Sequence, residues 1–541
     1  MNTARNVARP AIALAALTIA AAWTFVELGY YPLWSDEADT AIFARGVWET
    51  GDTSAVVGPN IYAYRNGVLL EGLKNRYTPP ASYYLTAPFY GAFGYDTFWL
   101  RFPFALCGLL GVAWIVAWLH EDQARTSTWL VTLVVLLGSV PYFLYVRQCR
   151  YYALAMLTSL VVVRCYVRWQ ASGWRECVLL MASLVLLATQ YMNYVALYAA
   201  LVVDYIGWQR HTQPLGRRTL LAILAPQLCA AGLLLAVYNP LGKPGFDVPV
   251  ARGFVANKLI LLIWTLRDLN NCEYIPLVVV ATAAIVAFLR RDAWLGRGIV
   301  GLVVYVVALT LVSPQETTMT NVADVRYLAP ILPLGAWIVV RTLQDLFPNR
   351  PSLAVGWAVI AGWTTIFYHP LTPALWRSTP QAFARELLER RPTAMGQVCE
   401  WFATHAKDGE SVFVLPDYDT YPLMVHLPKL IYGWQFPRTR SLLPALPPIH
   451  YALREPVDYI VTFGQKNHEL AKIAERMKRK QVEYRELTRI DLFWDDATRP
   501  ELCWHRFEPM RQFDKTKDAV WIYGRKSAGE RRPEALGMSD R

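Results

Sequence analysis

The chain has 541 residues, 55% hydrophobic and only 18% charged, with a formal net charge of +11. A soluble enzyme carries about a quarter charged residues, so this composition, with its apolar residues gathered into long blocks, excludes that class and points to an integral membrane protein. The basic residues fall mainly in short loops between those blocks, which reads as membrane topology and contact with membrane lipid, not nucleic acid.

Apolar blocks lie near 10–30, 98–119, 128–146, 150–167, 177–191, 193–208, 219–238, 272–289, 298–314, 327–343 and 352–369, predicting eleven spans of an α-helical polytopic protein. The first could instead be a signal peptide, since "LTIAAAW" offers small residues for cleavage. Arg5 and Arg9, Arg125, then Arg164, Arg168 and Arg175 fall in alternate loops. Arg210, Arg217 and Arg218, then Arg290, Arg291 and Arg297, then Arg341 and Arg350 continue the pattern. All lie on one side, which the positive-inside bias makes the cytoplasm, as for the N-terminus. "NKLILLIWTLRDLNN" (257–271) is too short an apolar run to span and reads as an interfacial or re-entrant helix.

Residues 1–370 thus form a transmembrane domain, with 31–97 as its first extracytoplasmic loop. The segment 371–525 alternates apolar runs ("SVFVLP" 411–416, "VDYIVTF" 457–463, "AVWIYGR" 519–525) with a helical stretch at 467–481, predicting an extracytoplasmic α/β domain. Residues 526–541 are polar and read as disordered. No CxxC pair or metal-type cysteine spacing occurs; Cys399 and Cys503 could pair if the tail faces an oxidising compartment.

Between their ends the spans hold no Asp, Glu, Lys, Arg or His, unlike ion-coupled carriers with charged groups near the midplane. The charged residues collect at the outer ends instead. "LWSDEADTAIFARGVWETGD" (33–52) brings Asp36, Glu37 and Asp39 there. Its DEAD letters match a helicase signature, but the required GxxxxGK[ST] phosphate loop is absent from the chain. On a helix adjacent residues diverge by about 100°, so Asp36 and Glu37 cannot face one atom, whereas Asp36 and Asp39 share a face. Helix capping by Ser35 or Asp36 is the structural alternative. Arg101, "VRQCRYY" (146–152) and "NVADVRY" (321–327) add arginines on the same side, against the topological bias. Each could be an interfacial anchor; together they suit a buried anion. A carboxylate and arginines suit sugar transfer from a polyprenyl phosphate: the acceptor needs a base, and the anionic leaving group needs positive charge.

These stretches resemble those of the GT-C glycosyltransferases, which include protein O-mannosyltransferases, lipid A aminoarabinose transferases and Rgt-like enzymes. "LWSDEADTAIFARGVWETGD" resembles their first-loop acidic motif, and "YTPPASYYLTAPFYGAFG" (77–94) their Pro-Pro-x-x-Tyr-Tyr stretch. "LRFPFALCGLLGV" (100–112) is similar to their Arg-x-Pro helix start, and "RQCRYYALAMLTSL" (147–160) and "VRYLAPILPLGAW" (325–337) to their later Arg-Tyr elements. The resemblance covers roughly 30–345, in order.

It implies Asp36 as catalytic base with Glu37 as its neighbouring acid; residue spacing leaves Asp39 open for the same role. Arg150 and Arg326 would hold the donor phosphate beside Tyr151 and Tyr327, with Arg101 supporting the phosphate or the loop, or serving as an anchor. Asp39, Thr78, Tyr83 and Tyr84 are acceptor-site candidates. Thr78 stands where related sequences often have His or Lys, and the two tyrosines read better as an interfacial belt. The implied enzyme moves a sugar from a polyprenyl-phosphate donor, with inversion, to a glycan, lipid or protein acceptor on the outer face of the plasma (inner) membrane. The sequence requires no cofactor and leaves a divalent metal open. The alternative is a lipid-linked-sugar transporter or flippase without glycosyl transfer.

Overall fold

The first apolar block folds as the helix Asn2–Phe25 in the computed structural model, which describes residues 2–68, 70–168, 173–239, 253–318, 323–390, 392–437, 446–464, 467–491 and 519–526. It ends short of the apolar block because Glu27 adopts a left-handed φ of 52° and turns follow to residue 30. The helix Ser35–Thr50 comes next and stops at Gly51, whose φ of 76° and N–H to the Val47 carbonyl make an αL cap.

The block at 128–146 is not one straight span. It forms Thr126–Gly138 and Val140–Val146, bent by 60°. Pro141, in the first turn of the second helix, has no N–H to continue the ladder. Residues 254–271 form one unbroken 18-residue helix with Asn257, Thr265 and Asp268 buried.

Among the described residues, four helices are long and apolar enough to cross a membrane: Thr97–Glu121, Arg217–Val237, Ala293–Val312 and Val325–Leu346. Counting the bent pair as one span makes five, and Arg9–Phe25, Tyr152–Val167, Leu277–Arg290 and Pro351–Trp363 are shorter apolar helices. Length and composition of the helices therefore support fewer than the eleven spans expected, because several apolar blocks are cut short by turns. The outward faces are apolar: Leu221, Leu228 and Leu233 are each at least 65% exposed on the 217–237 helix. Water would not tolerate such a surface, and a bilayer matches it.

The chain divides into two compact units, one comprising residues 1–54 and 74–391, the other residues 55–73 and 392–498 with the strand Ala519–Arg525. In the first, Val131 and Val135 pack with Val339, Val340 and Leu343 and with the small-residue stripe Ala354, Ala358, Ala361. The approach is close enough that a Cβ on Gly138 would lie 2.2 Å from the Gly362 carbonyl oxygen. This unit runs on past residue 370, where the sequence placed the boundary. The amphipathic helix Thr379–Glu389 buries Phe383 against Trp23, ring centroids 5.5 Å apart, and the Tyr30 hydroxyl donates to the Arg390 carbonyl at 2.6 Å.

The second unit is built on a five-stranded sheet in the order Ile431–Tyr432, Ser411–Leu415, Tyr459–Phe463, Ala519–Arg525, Tyr484–Asp491. The first three strands are parallel and the last two pairings antiparallel. Leu415, Val457, Ile460, Ile473, Met477 and Val482 form its core, with Ile473 and Met477 supplied by the helix Asn467–Lys478. Part of the first loop belongs here too. Asn60 donates to the Leu430 carbonyl at 2.7 Å and accepts the Tyr432 N–H at 2.8 Å, replacing strand-like partners at the sheet edge. The tail expected to be disordered (526–541) lies, beyond Lys526, outside the described residues, as does Cys503.

Candidate active site

Ser35–Thr50 presents its acids in two directions, as helical spacing requires. Glu37 is fully buried, and both its oxygens are taken. Arg101 Nε donates to Oε1 at 2.8 Å and Nη2 to Oε2 at 2.6 Å, a bidentate fork. The N–H of Cys149 adds 2.6 Å to Oε1, and the N–H of Trp34 3.2 Å to Oε2, so Glu37 caps its own helix. The remaining Arg101 donors go to the carbonyls of Leu28, Tyr31 and Pro32. Neither residue has a free valence toward a ligand: Arg101 is spent on the loop, as one of the sequence alternatives had it. The capping that the alternative reading gave to Ser35 or Asp36 is provided by Glu37.

Asp36 and Asp39 share the other face. Arg326 Nη1 lies 2.5 Å from Asp36 Oδ2, and Arg150 Nη2 lies 3.3 Å from the same oxygen. Arg150 Nη1 also donates to Asp39 Oδ2 at 2.8 Å and Thr40 Oγ1 at 3.2 Å. Asp324 forms a second pair with Arg326, at 2.6 Å from Nε. Three carboxylates thus meet two guanidiniums, drawn from three distant stretches of chain. The side chains of Asp36, Asp39, Arg150 and Arg326 are 9–16% exposed, so the cluster is sheltered yet not sealed.

Tyr151 and Tyr327 stack at 6.3 Å with 13° between planes, and each lies 5.6 Å from its neighbouring arginine. Both rings thus flank the guanidiniums at cation–π distance. Tyr83 is not a belt residue: it is 3% exposed, its ring 5.2 Å from Phe43. Its hydroxyl lies 2.8 Å from Thr78 Oγ1, and Asn75 Nδ2 donates to both. Burial, with Asp39 nearby, pushes the Tyr83 hydroxyl far above its ordinary pKa and keeps it protonated. Tyr84 is 47% exposed and only reaches the Gly51 carbonyl, as a surface tyrosine would.

Sequence reasoning overlooked Arg147 and Asp324, although both lie in quoted motifs. Arg147 Nη1 takes the carbonyls of Trp23, Thr24 and Val26, the open C-terminal end of Asn2–Phe25. Burial, then the neighbouring Arg101 cation, pushes its pKa down to about 10. A basic residue facing a helix C-terminus is recognisable only once the two ends are known to meet. Asp324 could have been suspected from its position two residues before Arg326. Among the described residues no cluster of three His, Cys, Asp or Glu side chains is placed to hold a metal ion.

No protein-family model and no curated protein matches the chain. Solved structures do. The aminoarabinose transferase ArnT of Cupriavidus metallidurans in the apo state aligns at 16% identity and a TM-score of 0.52, covering 87% of this chain and 95% of that one. The same protein bound to undecaprenyl phosphate aligns over the same shares at 16% identity and 0.49. The oligosaccharyltransferase AglB of Archaeoglobus fulgidus, in complex with an inhibitory peptide and a dolichol-phosphate, aligns at 11% identity and 0.35, over 86% of this chain and 71% of that one. The likeness to apo ArnT is one of fold, and by it the chain has the mostly helical GT-C membrane fold.

Proposed function

We propose that this protein is a membrane glycosyltransferase that moves a sugar from a polyprenyl-phosphate donor to an acceptor hydroxyl, inverting the anomeric carbon. The observation that carries the reading is a sheltered carboxylate, Asp36, shared between Arg150 and Arg326. ArnT is described bound to undecaprenyl phosphate, and that ligand class is carried across as part of the proposal.

Arg150 and Arg326 hold Asp36, which ties up the carboxylate. A donor phosphate competes for the same two guanidiniums, and binding it frees Asp36 to take the acceptor's proton. The departing lipid phosphate gains negative charge as the glycosidic bond breaks, so Arg150 and Arg326 stabilise the transition state more than the ground state. Asp39 keeps Arg150 oriented through Nη1, while Asp36 faces Nη2. The active site faces the extracytoplasmic side, with the N-terminus inside and the second unit outside as an α/β domain. Glu37 and Arg101 position the loop and take no part in the chemistry.

The test uses purified protein in lipid with a panel of radiolabelled polyprenyl-phosphate sugars and a membrane extract as acceptor. Wild type releases polyprenyl phosphate and transfers label, and Asp36→Asn binds donor without releasing it. Release by Asp36→Asn at the wild-type rate removes the base assignment. Lipid movement without any glycosidic product makes the protein a transporter instead.

A further inference from the structure

Two helices carry the first unit from the Asp36 site to its opposite end. Thr97–Glu121 holds Arg101 near its start and Glu121 at its last residue. Twenty residues at 1.5 Å each make about 30 Å, the thickness of a bilayer's hydrocarbon core. Tyr152–Val167 begins beside Arg150 and bears Arg164 in its last turn.

At that far end Trp118, Glu121, Arg164, Arg168, Trp174 and Arg175 line an open cleft of about 30 Å³. Arg164, its side chain 6% exposed, lies 4.5 Å from the Trp118 ring centroid and pairs through Nη2 with Glu121 at 2.5 Å and Asp122 at 3.0 Å. Its Nη1 is buried and has no hydrogen-bond partner among the described residues. Arg168 shares Asp122. Arg175 donates to the Arg168 carbonyl at 2.8 Å, lies 5.3 Å from the Trp174 ring centroid, and pairs with no carboxylate among the described residues. Three guanidiniums therefore face two carboxylates, and a buried charged donor is left without an acceptor, which is penalised.

We propose that this cleft binds the phosphodiester head group of an anionic phospholipid, in the leaflet opposite the Asp36 site. A phosphate oxygen completes Arg164 Nη1 and balances the third arginine, while Arg175 offers a planar fork suited to phosphate. Trp174 is 56% exposed beside the cleft, and tryptophan at a helix end is the side chain that settles at head-group depth. Basic pockets between helices at this level hold lipid phosphates elsewhere. A choline head group carries its own cation toward three arginines and is disfavoured.

The experiment titrates the detergent-solubilised full chain with dioleoyl phosphatidylglycerol, dioleoyl phosphatidylcholine and inorganic phosphate, counting bound molecules by native mass spectrometry. Phosphatidylglycerol is expected to bind about tenfold more tightly than phosphatidylcholine, and Arg175→Gln to weaken it about tenfold, the loss of one charge-assisted contact. Arg479→Gln, an exposed arginine of the second unit, leaves that binding unchanged. Arg175→Gln is chosen over Arg164→Gln because it breaks no carboxylate pair, and its elution as a single folded species is checked first. Equal phosphatidylglycerol binding by wild type and Arg175→Gln overturns the proposal, as does equal loss in Arg479→Gln. Arg175-dependent binding of inorganic phosphate without lipid binding assigns the cleft to the free anion and overturns the lipid assignment.

Discussion

Two acid–arginine clusters lie on different faces of one helix, and they are built to different ends. Around Glu37 every acceptor position is filled, by one bidentate arginine and two backbone N–H groups, at zero exposure. Around Asp36 a single oxygen is shared between two arginines, each of which also serves a second acid, and the side chains keep some contact with solvent. A saturated pair can only be broken, whereas a shared one can exchange partners. The difference teaches that identity and charge do not mark a reactive carboxylate; the number and ownership of its hydrogen bonds do.

The contrast can be broken most sharply by removing one charge from each cluster. Asp36→Asn is expected to lower turnover by roughly 10²–10⁴-fold, the usual worth of a general base, with little change in thermal unfolding. Glu37→Gln should do the reverse, costing about 3–5 kcal/mol of stability by stranding Arg101, with turnover per folded molecule retained. Equal stability losses in the two variants would erase the distinction. Arg326→Gln follows, with an expected loss on the order of 10²–10³ in turnover, as for one oxyanion donor, read from polyprenyl phosphate release at saturating donor. Tyr83→Phe leaves the Thr78 and Asn75 contacts to its hydroxyl unmade and should cost about 1 kcal/mol, measured as a drop in unfolding temperature.

The smallest effect is reserved for Asp52, at the end of the same helix. Hydrogen bonds from Arg76, at 2.6 and 2.8 Å, hold its carboxyl well below the usual range. A depressed carboxylate stabilises the fold above its unfolded pKa, and that contribution is lost as pH falls through the folded value. Wild type and Asp52→Asn should therefore differ by about 0.2–1 kcal/mol at neutral pH, converging below about pH 4. A difference that grew on acidification would contradict the pairing.

Much of the site was legible in the sequence because its spacing is local. Asp36 and Asp39, three apart on a helix, had to share a face, and they do. Arg150 and Arg326 were found through motifs that resemble those of a family, yet nothing local said that both would reach one oxygen. The destination of Glu37 was not legible, since Arg101 lies 64 residues away and its ring of backbone carbonyls exists only when the loop is closed around it.

The sequence by itself determined that this is a helical membrane protein, because apolar blocks of bilayer length have no other home. It also determined the strands at 411–415, 459–463 and 519–525, whose apolar runs can be buried only in a sheet. Only the tertiary structure decided where the apolar blocks break, that residues 55–73 join the sheet through Asn60, and which acid Arg101 consumes. Those outcomes depend on partners tens to hundreds of residues away, and a hydrogen bond between such partners leaves no periodic trace in the chain.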